Sequence, residues 1–161
     1  MEKIDSLDKK ILEIITRNAR IPFKDVATEC GVSRAAIHQR VQRLVDIGVI
    51  VGSGYHVNPA TLGYNTCTYV GITLERGSMY KHVVNEFEKI PEIVECHYTT
   101  GDYDMFIKIY AYNNHHLLNI IHDKLQPLGL ARSETIISFN TAFDRQLPMA
   151  DILEEEVVEE K

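Results

Sequence analysis

Residues 21–50, IPFKDVATECGVSRAAIHQRVQRLVDIGVI, decide the fold of the first part of this chain. Phe23 to Cys30 is a short amphipathic run entered through Pro22, whose fixed φ suits a helix start. Gly31 follows, and a residue that accepts positive φ ends a helix in a tight turn. Val32 can plug the gap behind that turn. Ser33 can then cap a second helix by accepting a bond from a free backbone N–H. The capping box is incomplete, because Ala36 stands where a Glu would reach back. In the second helix Ile37, Val41 and Leu44 share one buried stripe. Ala35, Gln39, Gln42 and Arg43 fall opposite, with His38 on a flank and Arg34 in the first turn.

The pattern predicts two short helices whose second member shows a polar, cationic face. Ser33, Arg34, Ala35, His38, Gln39, Gln42 and Arg43 are therefore candidate DNA contacts. Arg and Gln donate to base edges or phosphates, and Ala35 lets the helix backbone come close. Arg43 is expected at phosphate. An ordinary helical hairpin would carry the same signal, since short patterns of this kind recur by chance. A preceding helix favours the DNA reading. Asp5 or Ser6 can cap it, Leu7, Ile11, Ile14 and Ile15 form its apolar stripe, and Asp8 suits the positive end of its dipole. Three such helices share a small core and the third enters the major groove. After Gly48, VIVGSGYHVN reads as a short strand or wing.

The chain has 161 residues, room for one compact domain or two small ones. Charge is uneven: residues 1–50 hold nine Lys/Arg against seven Asp/Glu, and the rest hold eight against sixteen. The acidic total of −6 does not exclude DNA, because the local field of the binding face decides. The small surplus of cations in the head predicts weak binding by one head and favours a dimer. Cys30, Cys67 and Cys96 form no CxxC pair, which fits a reducing compartment. No apolar run approaches a membrane span and no leader pattern is present, so a soluble, cytoplasmic protein is expected.

From Tyr64 onward the periodicity changes. Tyr64 to Leu74 is rich in strand formers. Ser78 opens a helix carrying Tyr80, Val83, Val84, Phe87 and Ile90, and Pro91 stops it. Ile93 to Thr100 reads as a strand with Val94, Cys96 and Tyr98 on one face. Gly101 and Asp102 turn into a third strand, Tyr103 to Tyr112, with Met105, Ile107, Ile109 and Ala111 on one side. Asn114 can cap a helix bearing Leu117, Leu118, Ile121 and Leu125, and Leu130 to Thr141 supplies a fourth strand. The order is βαββαβ, a split ferredoxin-like unit. Its two helices cover one face of an antiparallel sheet and leave the other face bare. So much wet apolar surface is unusual, and a second copy is the simplest cover. The expected class is α+β: a three-helix, winged helix-turn-helix domain over 1–50, a hinge strand or linker over 51–62, and a ligand-binding and oligomerisation domain over 63–142. An acidic tail occupies 143–161, where clustered Glu residues repel one another.

The LDKKIL helix, the GVS turn, the AAIHQRVQRLVDIGVI helix and TTGDYDMFIKI within a βαββαβ unit resemble the Lrp/AsnC (feast/famine) family. The resemblance runs to about Thr141, and YTTGDYDMFIK with SETII looks closest to its AsnC branch. It implies an amino-acid-responsive transcription regulator, here most simply responsive to asparagine or a related polar amino acid. It implies a RAM/ACT-like C-terminal domain, homodimers assembling to octamers, and an effector held near the contacts between dimers. About Val49–Val57 would be a hinge strand pairing between subunits. The tail beyond Arg145 is longer and more acidic than the family needs.

A free amino acid needs N–H donors for its carboxylate and oxygen acceptors for its ammonium. The loop Thr99, Thr100, Gly101, Asp102, Tyr103 and Asp104 offers both, with backbone amides near the glycine, two hydroxyls and two carboxylates. Ser133 and Thr135 on the last strand could complete the pocket. A polar hairpin turn would look the same in isolation, and the family resemblance favours the effector site. His97, His115, His116 and His122 match no recognised zinc spacing, so no metal is expected. No GxGxxG, P-loop or GxSxG is present, so neither a catalytic residue nor a cofactor is expected. Siroheme decarboxylases resemble this family in fold, and that alternative would need haem-contacting histidines. A metabolite-binding module without DNA function is the other alternative, and the intact cationic face speaks against it.

Overall fold

The computed structural model describes residues 4–147. The chain divides into two compact units, one built on residues up to His56 together with the described residues from Arg145 on, the other on Val57–Asp144. The acidic tail expected over 143–161 lies, from residue 148 on, outside the described residues.

The head has three helices, α1 (Ser6–Arg17), α2 (Phe23–Cys30) and α3 (Arg34–Asp46). Asp5, not Ser6, caps α1. Its side chain accepts the Asp8 N–H at 2.8 Å, and the Asp8 carboxylate accepts the Asp5 N–H at 3.2 Å. This is a full capping box with Asp in the reciprocal place. Gly31 ends α2 at φ +71°, the left-handed conformation that lets α3 start at once. Ser33 caps α3 by accepting the Ala36 N–H at 3.1 Å. Ile11, Ile14, Val26, Ala27 and Ile37 form the head's core, with Val32 and Val41 packed against it.

The expected strand or wing after Gly48 is absent: between α3 and a 3₁₀ turn at Ala60–Leu62 the described residues hold no helix or strand. A strand needs a partner edge for its backbone groups, and residues 49–57 meet none among the described residues of a single chain.

The second unit carries β1 (Thr66–Thr73), α4 (Tyr80–Phe87), β2 (Ile93–Tyr98), β3 (Met105–Ala111), α5 (Asn114–Asn119) and β4 (Arg132–Ser138). The strands pair antiparallel in the order β2-β3-β1-β4, which confirms the βαββαβ expectation. Val70, Ile72, Met105, Ile107, Ile109 and Ala111 are wholly buried beneath Val83, Phe87, Leu117, Ile120 and Leu125.

Three details depart from the pattern read in the sequence. A bulge between Ile93 and Glu95 throws Val94 out of register, so Val94 is exposed, while Cys96 and Tyr98 oppose Ile107 and Met105. Asn113, not Asn114, caps α5, accepting the His116 N–H at 2.9 Å. Beyond Asn119 the helix widens into a π segment, Ile120–Leu125. The wider turn rotates the apolar face, so Ile120 is buried beside Leu117 and Leu125, Ile121 only packs against the core, and Leu118 is half exposed.

Candidate DNA-binding face and effector loop

The face of α3 is not uniformly available. Arg34, Ala35, His38, Gln39 and Gln42 are exposed. The Ser33 hydroxyl is engaged as the cap. Gln42 donates to Asp46 at 2.8 Å along the helix. His38 meets the Phe23 ring edge-on at 4.6 Å, which steadies it beside the turn. Arg34 and Gln39 make no hydrogen bond or ion pair within the described residues, so both can reach outward.

Arg43 departs from expectation. Its guanidinium donates to Asp8 of α1, whose side chain is completely buried. Arg40, which the sequence pattern did not single out, donates to the other Asp8 oxygen at 2.8 Å and to Asp5 at 2.6 Å. A buried carboxylate must be paired, and α3 supplies both partners. Arg43 is therefore a tie between α3 and α1 rather than a side chain held out for phosphate. The sequence carried a signal for this, an Asp at the third position of α1 and two arginines one helical turn apart on α3. It could not say which of several acids they would meet.

These charges give the head an acid sensitivity. The Asp8 N–H, then Arg40, hold the Asp5 carboxyl below its ordinary value. A carboxyl lowered in the folded state stabilises fully above its unfolded value, about pH 4, and loses that contribution as pH falls through the folded one. Melting temperatures are expected to fall more steeply as pH drops below about 4 than those of an Asp5→Asn variant. Equal slopes would remove Asp5 from the account.

In the second unit, residues 99–104 link β2 to β3. The Thr99 N–H bonds the Asp104 carbonyl at 2.9 Å, and the Thr99 hydroxyl donates to the Tyr103 carbonyl at 2.7 Å. Asp104 is tied to β1: its N–H bonds the Ile72 carbonyl at 2.9 Å and its carboxylate accepts the Leu74 N–H at 2.7 Å. Gly101 sits at φ +104° with open space where a side chain would be. The N–H groups of Thr100, Gly101, Asp102 and Tyr103 make no hydrogen bond within the described residues. Free amides beside a positive-φ glycine are donors that a turn can offer to an anion. The exposed Asp102 carboxylate is the charged acceptor with no side-chain bond among the described residues, whereas the Thr99 hydroxyl and one Asp104 oxygen are already engaged.

Ser133 and Thr135 do not join Tyr103 on one face. They pair with Ile72 and Val70, so they project toward the helices. Glu134 projects to the helix-free side, where its carboxylate accepts the Tyr103 hydroxyl at 2.6 Å. Strand alternation separates neighbours in this way.

Of the candidate histidines, His97, His115 and His116 have local partners. The His116 ring stacks on Tyr112 at 4.9 Å and accepts the Tyr112 N–H at 3.2 Å. His97 lies 3.6 Å from Glu95. Among the described residues no three His, Cys, Asp or Glu side chains gather as a metal site. No described helix is long and apolar enough to cross a membrane.

A helix-turn-helix head joined to a βαββαβ unit is the architecture of a DNA-binding transcription regulator with its own ligand domain. Residues 4–51 match the winged helix-turn-helix DNA-binding model, and residues 67–148 match the Lrp/AsnC ligand binding domain. The chain belongs to the Lrp/AsnC family. It is 36% identical over 148 residues to the regulatory protein AsnC of Haemophilus influenzae, covering 91% of this chain and 99% of that protein. It is 39% identical over 118 residues to the HTH-type transcriptional regulator FL11 of Pyrococcus furiosus, covering 73% and 78%. The solved structure of Escherichia coli AsnC superimposes with a TM-score of 0.84 at 33% identity, covering 91% of this chain and 99% of that one. All three are named as regulators or as AsnC itself, which favours regulation over the decarboxylase alternative.

Proposed function

We propose that this regulator reads DNA through Arg34, Ala35, His38 and Gln39 at the start of α3, and that its assembly responds to a small polar amino acid, asparagine or a close relative, held by residues 99–104. The observation that supports the first half is the freedom of Arg34 and Gln39 beside a helix start that Ser33 caps. The second half rests on the four free amides and the exposed Asp102 carboxylate. The ammonium would meet Asp102 while the carboxylate meets the amides. Double-stranded DNA and the amino acid are then its partners.

Replacing Arg34 or Gln39 by Ala is expected to cost about 1–3 kcal/mol at the preferred site if the side chain reads a base edge. If Arg34 instead meets phosphate, the salt dependence of binding flattens by about one unit of slope. Titrations of Arg34→Ala over a salt series separate the two. Binding unchanged in both variants would sink the assignment. For the effector, calorimetry against the proteinogenic amino acids is the direct measurement, and silence from all of them at millimolar concentration would refute the loop assignment.

The helix-free sheet face supports a dimer. Tyr69, Phe106, Tyr110 and Cys67 lie there half-buried, and Ile136 is 45% exposed. Lys108 runs between Tyr69 and Tyr110, 5.9 and 5.6 Å from their ring centres, and is neutralised by Glu95 at 2.9 Å. That pairing holds the ammonium above its ordinary value, so the face carries no unpaired cation at its centre. A second copy would cover it, with octamers built from such dimers. A chain lacking residues 1–60 is expected to remain dimeric in sedimentation, and a stable monomer at micromolar concentration would contradict the interface.

A further inference from the structure

The effector loop shares a residue with the sheet face. Tyr103 leaves the loop and lays its ring across Gly71 of β1. A Cβ at Gly71 would fall 2.7 Å from three atoms of that ring, so only glycine lets the ring lie there. The hydroxyl is fixed by Glu134, which Arg132 also reaches at 3.3 Å. Gly71 and Glu134 are register partners, so ring and carboxylate meet on the same helix-free side. The ring centre lies 6.1 Å from that of Phe106, and Phe106 stacks on Tyr69 at 5.8 Å. One row of side chains thus runs from the loop onto the face. At its other end the Tyr103 backbone is gripped inside the loop, its carbonyl by Thr99, while its own N–H is one of the four left free.

From this geometry we propose that Tyr103 couples the effector loop to assembly through the helix-free face, with Gly71 and Glu134 as positioning residues that act through it. The proposal rests on the effector and dimer readings above. An effector shifts assembly only by its differential affinity for the two states. A residue whose N–H faces the effector and whose ring forms part of the face is a direct source of such a difference. When a partner copy presses on the ring, the loop's backbone feels it. When an effector fixes the backbone, the ring is fixed in turn.

The coupling is reciprocal, so it can be read with no effector present. Hydrogen exchange of the segment spanning residues 99–104 is followed in the full chain across a dilution series that takes the assembly apart. In the parent, assembly should slow exchange by about fivefold or more, a typical coupling. In Gly71→Ala and in the exposed-site variant Glu134→Ala the same dilution should leave the loop's exchange nearly constant. Glu134→Gln, which keeps an acceptor for the phenol, should recover most of the parent's response. A second arm measures the assembly constant by sedimentation with and without asparagine. The parent's shift should be lost in Gly71→Ala and Glu134→Ala. Loop exchange insensitive to assembly in the parent, or variants that respond as the parent does, overturns the proposal. If loop exchange tracks assembly and Gly71 while no amino acid gives heat, the coupling stands and the effector reading falls.

Discussion

Replacing Asp8 by Ala is expected to destabilise the head by about 2–3 kcal/mol. Breaking a buried pair by removing one partner costs about 3–5 kcal/mol when the remaining charge stays buried. Here Arg40 keeps Asp5 at 2.6 Å, and the side chains of Arg40 and Arg43 are 31% and 36% exposed and can turn to water, which trims the figure. Some of the cost returns through the capping box, since the Asp5 N–H loses its acceptor. The Asp8 side chain is itself completely buried, so Ala leaves space behind as well. Urea denaturation followed by the helical signal checks this, and a loss under about 0.5 kcal/mol, the range of an ordinary surface substitution, would show that the carboxylate is not a structural tie. DNA binding gives a second reading. Asp8→Asn, the milder change, removes a negative charge beside α3, so it should steepen the salt dependence of binding even as it softens the head.

This tie marks where sequence reading stops. The three helices, the Gly31 turn and the Ser33 cap were legible because each is a local device: a positive φ, a side chain bonding an N–H three residues on, an apolar stripe at helical spacing. Met105, Ile107, Ile109 and Ala111 were legible because a central strand alternates strictly. Pairings across elements were not. Arg43 reads as polar and cationic on a helical wheel, and nothing local says that α1 brings a carboxylate to it. The shift of the apolar face to Ile120 follows from a π turn that periodicity at helical spacing cannot contain. Val94 left the sheet face because of one bulge in β2. Within the candidate effector site the loop was found from its composition. The engagement of Thr99 and Asp104 depends on contacts along the loop and with β1, and only coordinates supply those. Likewise residue type groups Ser133 and Thr135 with the loop, whereas register puts Glu134 beside Tyr103.

Gly101→Val is expected to abolish the effector response while leaving DNA binding without effector unchanged. The backbone at Gly101 has φ +104°, outside the range that L side chains tolerate, and a β-branched residue tolerates it least. Apart from its chain neighbours, no atom of the described residues lies within 4 Å of a Cβ built there, so packing does not oppose the substitution. The penalty falls on the loop's conformation alone, on the order of 1–3 kcal/mol, and the loop relieves it by moving. Movement displaces the free amide N–H groups proposed to hold the carboxylate, and each charge-assisted bond lost in this way is worth about 1.5–3 kcal/mol. Two such bonds together exceed a hundredfold in affinity, since each 1.4 kcal/mol is about tenfold. The valine side chain would also stand in the open space that a ligand needs. The head forms a separate compact unit, so its affinity for DNA in the absence of effector should match the parent's. Calorimetry with asparagine and a DNA titration on the same sample decide the matter. Binding of the amino acid at the parent's affinity would move the site away from Gly101. A Gly101→Ala variant with intermediate loss would separate the φ penalty from the bulk of the side chain, because alanine carries the first with little of the second.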